Sequence, residues 1–169
     1  GIGGSVVASS GSITLIGDNA SSTLDGLNIG GLTLGANAST SVTSSSSNIT
    51  LKGNQFNLNN TATFNTTGTV SVLSLDASNS FGSAQTFGSN WSFGSGVSGL
   101  TIGKSSNTAN LTLGTTIGIT GPITIYGGAV TLNAGLSTSS TSLGDVNITA
   151  TGLFGGGGIG LAAGRKLTV

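Results

Sequence analysis

Two apolar residues flanking one small polar residue recur along the whole chain. The pattern starts as Ile13-Thr14-Leu15. It returns at triplets beginning with Leu27, Leu32, Ile49, Phe56, Val70, Leu73, Trp91, Leu100, Leu111, Ile117, Ile123, Val130, Val146, Ile159 and Leu167. Alternate side chains of an extended strand face opposite ways, so each triplet turns two apolar groups inward and one polar group outward. Of the sixteen central residues, eight are Thr, three Asn, three Ser and two Gly, which makes a small and wettable outer face. Gly, Asn or Ser follows each triplet closely, and this predicts very short strands ended by turns. No long stretch carries the 3.6-residue apolar period of an amphipathic helix. The expected chain is all-β.

Spacing sharpens the expectation. Phe81-Gly82-Ser83, Phe87-Gly88-Ser89 and Phe93-Gly94-Ser95 open six residues apart, and Leu111, Ile117 and Ile123 repeat the interval. A sandwich calls for strands of about 5–6 residues with turn signals every 8–12 or so, longer than these hexads allow. The predicted fold is therefore a single-stranded parallel β-helix, or β-solenoid, with three-sided coils. Phe81, Phe87 and Phe93 are expected to fill one core level, one from each wall, beside Trp91. A coarser ladder of triplets at 13, 32, 49, 70, 91, 111, 130, 146 and 167 predicts coils of about 19 residues. Roughly eight coils at about 4.8 Å each give a rod near 40 Å long. No coil is stable alone, since its burial comes from the coils above and below. Gly is expected to permit left-handed corners, and Asn either to do the same or to stack in ladders along the turns.

Composition agrees with a folded, weakly charged chain. Gly, Ser, Thr and Asn make up 98 of 169 residues, yet 36% of the chain is hydrophobic and spread from end to end. That fraction separates it from a disordered linker. The only charges are Asp18, Asp25, Asp76 and Asp145 against Lys52, Lys104, Arg165 and Lys166. Four cations cannot build the basic face that displaces phosphate counterions, so nucleic acid is not an expected partner. Cys, His and Met are absent. No apolar run approaches the roughly 20 residues that span a bilayer. The chain opens on GIGG and closes on LTV, inside what reads as a strand. The whole of 1–169 is expected to be one segment, an interior module of something longer or a processed subunit.

The stretch LTIGKSSNTANLTLGTTIGITGPITIYGGAVTLNAGLSTSS, followed by GDVNITATG, resembles the passengers of large bacterial exoproteins. It is similar to the filamentous-haemagglutinin-like, two-partner-secretion adhesins in its phrases at Gly121–Gly128, Thr131–Leu136 and Ala150–Gly152. The resemblance covers about residues 97–169 and is compositional before that. It implies a right-handed parallel β-helix, exported and displayed on a bacterial surface. The family's amino-terminal secretion domain has no counterpart in these residues.

Candidate chemistry is sparse. The four Asp have no His, Cys or Glu to pair with, and Asp18-Asn19 and Asp25-Gly26 read as turns. No catalytic residue, metal site or cofactor is expected. Gly155–Gly160 lacks the acidic residue of a calcium-binding repeat and the Lys of a phosphate loop, and Arg165-Lys166 reads as a solvated turn. Two surfaces remain. The aromatic level of Phe81, Phe87, Trp91 and Phe93 is read as core, against a ligand platform. Thr14, Thr33, Thr50, Thr101, Thr112, Thr124 and Thr131 are expected to face outward. The expected role is a non-catalytic structural or adhesive module of an extracellular bacterial surface fibre. Its expected partners are itself, by end-to-end stacking or continuation into further coils, and a host or neighbouring-cell surface. Two alternatives are a self-assembling cross-β filament subunit and an ice-binding solenoid that uses the Thr array.

Overall fold

The computed structural model describes residues 4–17, 31–34 and 39–169; the Leu27 triplet, Asp18 and Asp25 lie outside them. The described residues form twenty strands and no helix. Numbered in chain order, β1 (Gly4–Ala8), β4 (Thr40–Ser44), β7 (Ala62–Asn65) and β10 (Trp91–Phe93) make one sheet. A seven-stranded sheet runs β2 (Ile13–Gly17), β5 (Ile49–Gly53), β8 (Thr69–Leu73), β11 (Gly99–Ile102), β14 (Ile123–Tyr126), β17 (Val146–Thr149) and β20 (Leu167–Thr168). Strands β3 (Gly31–Leu34) and β6 (Gln55–Leu58) pair alone. A four-stranded sheet holds β9 (Gln85–Phe87), β12 (Leu111–Leu113), β15 (Ala129–Leu132) and β18 (Gly152–Phe154). The last sheet holds β13 (Ile117–Ile119), β16 (Leu136–Thr138) and β19 (Ile159–Gly160).

One rule generates this arrangement. Every pairing is parallel and joins strands three apart in chain order, so the chain visits two other sheets before it returns to the first. The apolar triplets explain why the returns are in register. In the seven-stranded sheet Ile13, Ile49, Val70, Leu100, Ile123, Val146 and Leu167 are aligned partners. Two residues on, Leu51, Val72, Ile102, Ile125 and Ile148 form a second aligned file, each 1% exposed or less. A slip of one residue would turn both files to water, so the pattern fixes the register.

Returns are mostly longer than the expected 19 or so residues. Successive partners in the seven-stranded sheet lie 36, 21, 30, 23, 23 and 21 residues apart. Only the steps from β12 to β15 and from β13 to β16 take 19. The nine-triplet ladder mixes sheets: the triplets at 13, 49, 70, 146 and 167 share the seven-stranded sheet, while those at 32, 91, 111 and 130 lie in others. Each sheet uses the same kind of triplet, so spacing alone cannot say which one a triplet joins. Six returns at about 4.8 Å span about 29 Å, shorter than the 40 Å expected.

Several strands carry no apolar triplet. β4 turns Thr40 and Ser44 inward on either side of Val42, and β9 turns Gln85 inward beside Phe87. β16 does the same with Thr138, whose hydroxyl donates to the Gly144 carbonyl. Short hydroxyls satisfied by nearby carbonyls can occupy inward positions that the apolar pattern misses. The expectation for Asn corners also changes. Among the described residues every positive φ belongs to Gly, so no Asn takes a left-handed corner. Gly121 is required for a different reason: a Cβ there would overlap the Ser98 carbonyl, where the backbone turns tightly into Pro122.

Ile125→Ala should destabilise the fold by about 2–5 kcal/mol, because it empties a fully buried rung between Ile102 and Ile148. Thr124→Ala, one residue away on the outer face, should stay within about 0.5 kcal/mol. Chemical denaturation of the two variants checks the contrast.

Candidate functional site

The aromatic level lies inside the molecule. Phe87 is 0%, Trp91 3% and Phe81 5% exposed, and Phe93 is half-buried against the same core. Trp91 is the hub, with ring centroids 4.7 Å from Phe87, 5.6 Å from Phe64, 5.9 Å from Phe56 and 6.1 Å from Phe93. Phe56 meets Phe81 edge-on at 5.9 Å. The one-per-wall expectation needs correcting. Phe87 lies on β9 and Phe93 on β10, but Phe81 precedes β9, and the seven-stranded sheet contributes none of the three. Phe56 and Phe64 complete the cluster from β6 and β7. They lie earlier in the chain, and hexad spacing cannot reach across a return.

The threonines expected to face outward divide among sheets. Thr14, Thr50, Thr101 and Thr124 share one row of the seven-stranded sheet, in register with Ser71, Asn147 and Thr168. Thr112 and Thr131 align with Thr86 in the sheet of β9. Thr33 lies on β3, opposite Asn57 of β6. The next outward position of the seven-stranded sheet holds Ile16, Lys52, Leu73, Tyr126 and Thr149 among others, so the row is a single file.

A polar system runs along the corners, where Asn was expected either to take left-handed turns or to stack in ladders. Asn48 Oδ1 accepts the Thr69 N–H at 3.0 Å, Asn110 Oδ1 the Ala129 N–H at 2.9 Å, and Asp145 Oδ1 the Lys166 N–H at 3.0 Å. Each side-chain oxygen carries the ladder one residue past the strand, into the next return. Each also stands immediately before a triplet (Ile49, Leu111, Val146), a signal visible in the sequence. At another corner Ser45 Oγ donates to Ser9 O, Thr67 Oγ1 to Ser45 O and Thr120 Oγ1 to Ser95 O, at 2.9–3.1 Å. Asn107, 6% exposed, ties three segments together. Its Oδ1 accepts from Ser80 Oγ at 2.7 Å and Phe81 N–H at 3.1 Å, and its Nδ2 donates to Tyr126 O at 2.7 Å.

The described charges work in the same way. Lys52 Nζ bonds both oxygens of Asp76 at 2.7 and 2.8 Å, and Lys104 Nζ donates to Leu75 O and Ser78 O. Hydrogen bonding to Lys52, together with its charge, lowers the Asp76 pKa below the usual aspartate value. Arg165 Nη1 lies 3.5 Å from Asp145 Oδ1 and donates to Ser142 O at 2.7 Å. Arg165 is thus held between segments, where a solvated turn was expected.

The recesses are shallow. One of about 190 Å³ is lined by Leu58, Thr86, Gly88, Ser89, Asn90 and Trp91. Another, of about 330 Å³, crosses Thr43–Ser45, Asn65–Thr67 and Gly94–Gly96. Among the described residues no three His, Cys, Asp or Glu side chains come together to hold a metal, and no helix is long and apolar enough to cross a membrane. No protein-family model, curated protein or solved structure matches the chain. Among the described residues, the polar and charged groups named above join one segment of the chain to the next.

Asn107→Ala should cost about 1–3 kcal/mol, because buried Phe81 N–H and Tyr126 C=O lose their partner. Asn107→Asp should be at least as damaging at neutral pH, since a carboxylate cannot donate to Tyr126 O. It should recover in part on acidification, when the protonated acid can donate. Denaturation across pH distinguishes the two. Separately, the Asp76 carboxyl should titrate below an unfolded-chain aspartate by NMR, and Lys52→Met should raise its midpoint. The small stabilisation from this exposed pair is present above the unfolded pKa and is lost as pH falls through the folded one.

Proposed function

We propose that the chain is a three-sided, right-handed parallel β-solenoid serving as a non-catalytic structural or adhesive module of an extracellular bacterial surface fibre. The observation that carries this reading is that every pairing among the described strands is parallel and joins strands three apart in chain order, with apolar residues in register. A stack built this way resists bending along its axis because each level is bonded to the next by backbone ladders and corner side chains. The right hand is the one that the resemblance implies, and it agrees with the preference of parallel crossover connections. The similarity of residues 97–169 to filamentous-haemagglutinin-like passengers supports the export and display part of the reading. Pairing within one chain is the reason to prefer a solenoid to a cross-β filament, in which strands pair between copies.

A second reading has one observation behind it. The row Thr14, Thr50, Ser71, Thr101, Thr124, Asn147 and Thr168 repeats small polar groups at strand spacing along one face, as an ice-binding surface would require. The adjacent positions, Ile16, Lys52, Leu73 and Tyr126, do not supply a second matching row.

Immunogold labelling of intact producing cells with antibody against residues 97–169 tests the proposal. Label on surface filaments is expected, and label confined to the cell interior would overturn it. Thermal hysteresis near zero is expected, and clear depression of ice growth would transfer the assignment to the second reading.

A further inference from the structure

The strand ladders break twice, between β6 and β9 and between β10 and β13. β6 ends the pair with β3, and β9 is the edge of the next sheet in the same order of visits. β10 ends its sheet, and β13 begins another. The ladders therefore sort the strands into two bodies, β1–β8 with β10, and β9 with β11–β20. Among the described strands only β8 and β11, Thr69–Val72 against Gly99–Ile102, pair across the boundary. The chain crosses it three times between β8 and β11, placing β9 in one body and β10 in the other.

Other groups bridge where the ladders stop. Gln85 of β9, 4% exposed, offers its Oε1 to the Phe56 N–H of β6 at 3.0 Å, in place of a backbone carbonyl. Thr115 Oγ1 donates to Trp91 O at 3.0 Å, just before β13. The rings of Phe87 and Trp91 meet from opposite bodies. The aromatic cluster thus lies at the seam, where β6 and β9 do not pair and Phe87 packs on Trp91 instead.

We propose that this seam is a built-in yield plane, and that the protein opens as two cooperative units. In stacked-repeat proteins stability is close to a sum of units and nearest-neighbour interfaces, and the interface with one strand ladder is the weakest. The amino-terminal body opens first. Its strand β4 turns Thr40 and Ser44 inward beside Val42, whereas β11–β17 turn mainly Leu, Ile and Val inward, with Thr138 of β16 as the polar exception. The inference rests on the pairing of strands and not on the surface role.

The full chain carries its own probe, since Trp91 is its only tryptophan and packs across the seam. In a denaturant titration, Trp91 emission should change at a lower midpoint than the main loss of far-ultraviolet circular dichroism. Hydrogen exchange should show one opening class for β4, β5 and β7 and a slower one for β14 and β17. Gln85→Ala should speed exchange of the Phe56 amide about tenfold, lower the Trp91 midpoint and leave β14 and β17 unchanged. If Gln85→Ala already opens the first body in buffer, β14 and β17 should still be protected. Coincident transitions with one opening class throughout, or a Gln85→Ala chain unfolded along its whole length, would overturn the proposal.

Discussion

Burial in this protein is supplied by the neighbouring return of the chain, and the in-register parallel ladder is what brings that neighbour into place. A strand of two to five residues has too little surface to hold itself together. Stacked in seven rungs, Ile, Leu and Val side chains make two inward files, and each fully buried member contributes about 1.5–3 kcal/mol. Register, burial and hydrogen bonding are therefore one condition. Losing any of them at a rung removes the support of the rungs on both sides.

The same constraint accounts for the polar composition. A chain with 5% charged residues must satisfy many corner N–H and C=O groups without ionic help. Ser, Thr and Asn do so because their side chains are short enough to reach the adjacent return and no further. Where a cation is present it takes a similar place, as Lys104 does between the Leu75 and Ser78 carbonyls. Polar groups that a sequence reader would assign to solvation are in large part connectors along the stack.

The all-β class and the parallel, short-strand character could be read from apolar alternation, because period two survives in almost every strand. The burial of Phe81, Phe87 and Trp91 could be read too. The length of the return could not, since loops such as residues 74–84 and 103–110 add residues without changing the triplets that stack. Thr40, Ser44, Gln85 and Thr138 hid their strands by placing polar atoms inward, a choice that depends on partners far along the chain. The single Thr face could not be resolved for a related reason. An outward Thr looks the same on every sheet.

The corner asparagines bear on chemical ageing. Asparagine amides hydrolyse slowly to carboxylates, and the chain has fifteen of them. Asn48 and Asn110 use only their side-chain oxygen as acceptor in these bonds, and Asp145 already fills the equivalent place with a carboxylate. Loss of ammonia there would keep the connection intact. Asn107 and Asn90 instead donate through Nδ2, to Tyr126 O and Leu58 O, so the same reaction would turn a bond into a repulsion between oxygens. The same reaction would therefore be felt at those two residues, while direct hydrolysis at the acceptor corners would leave their bonds in place.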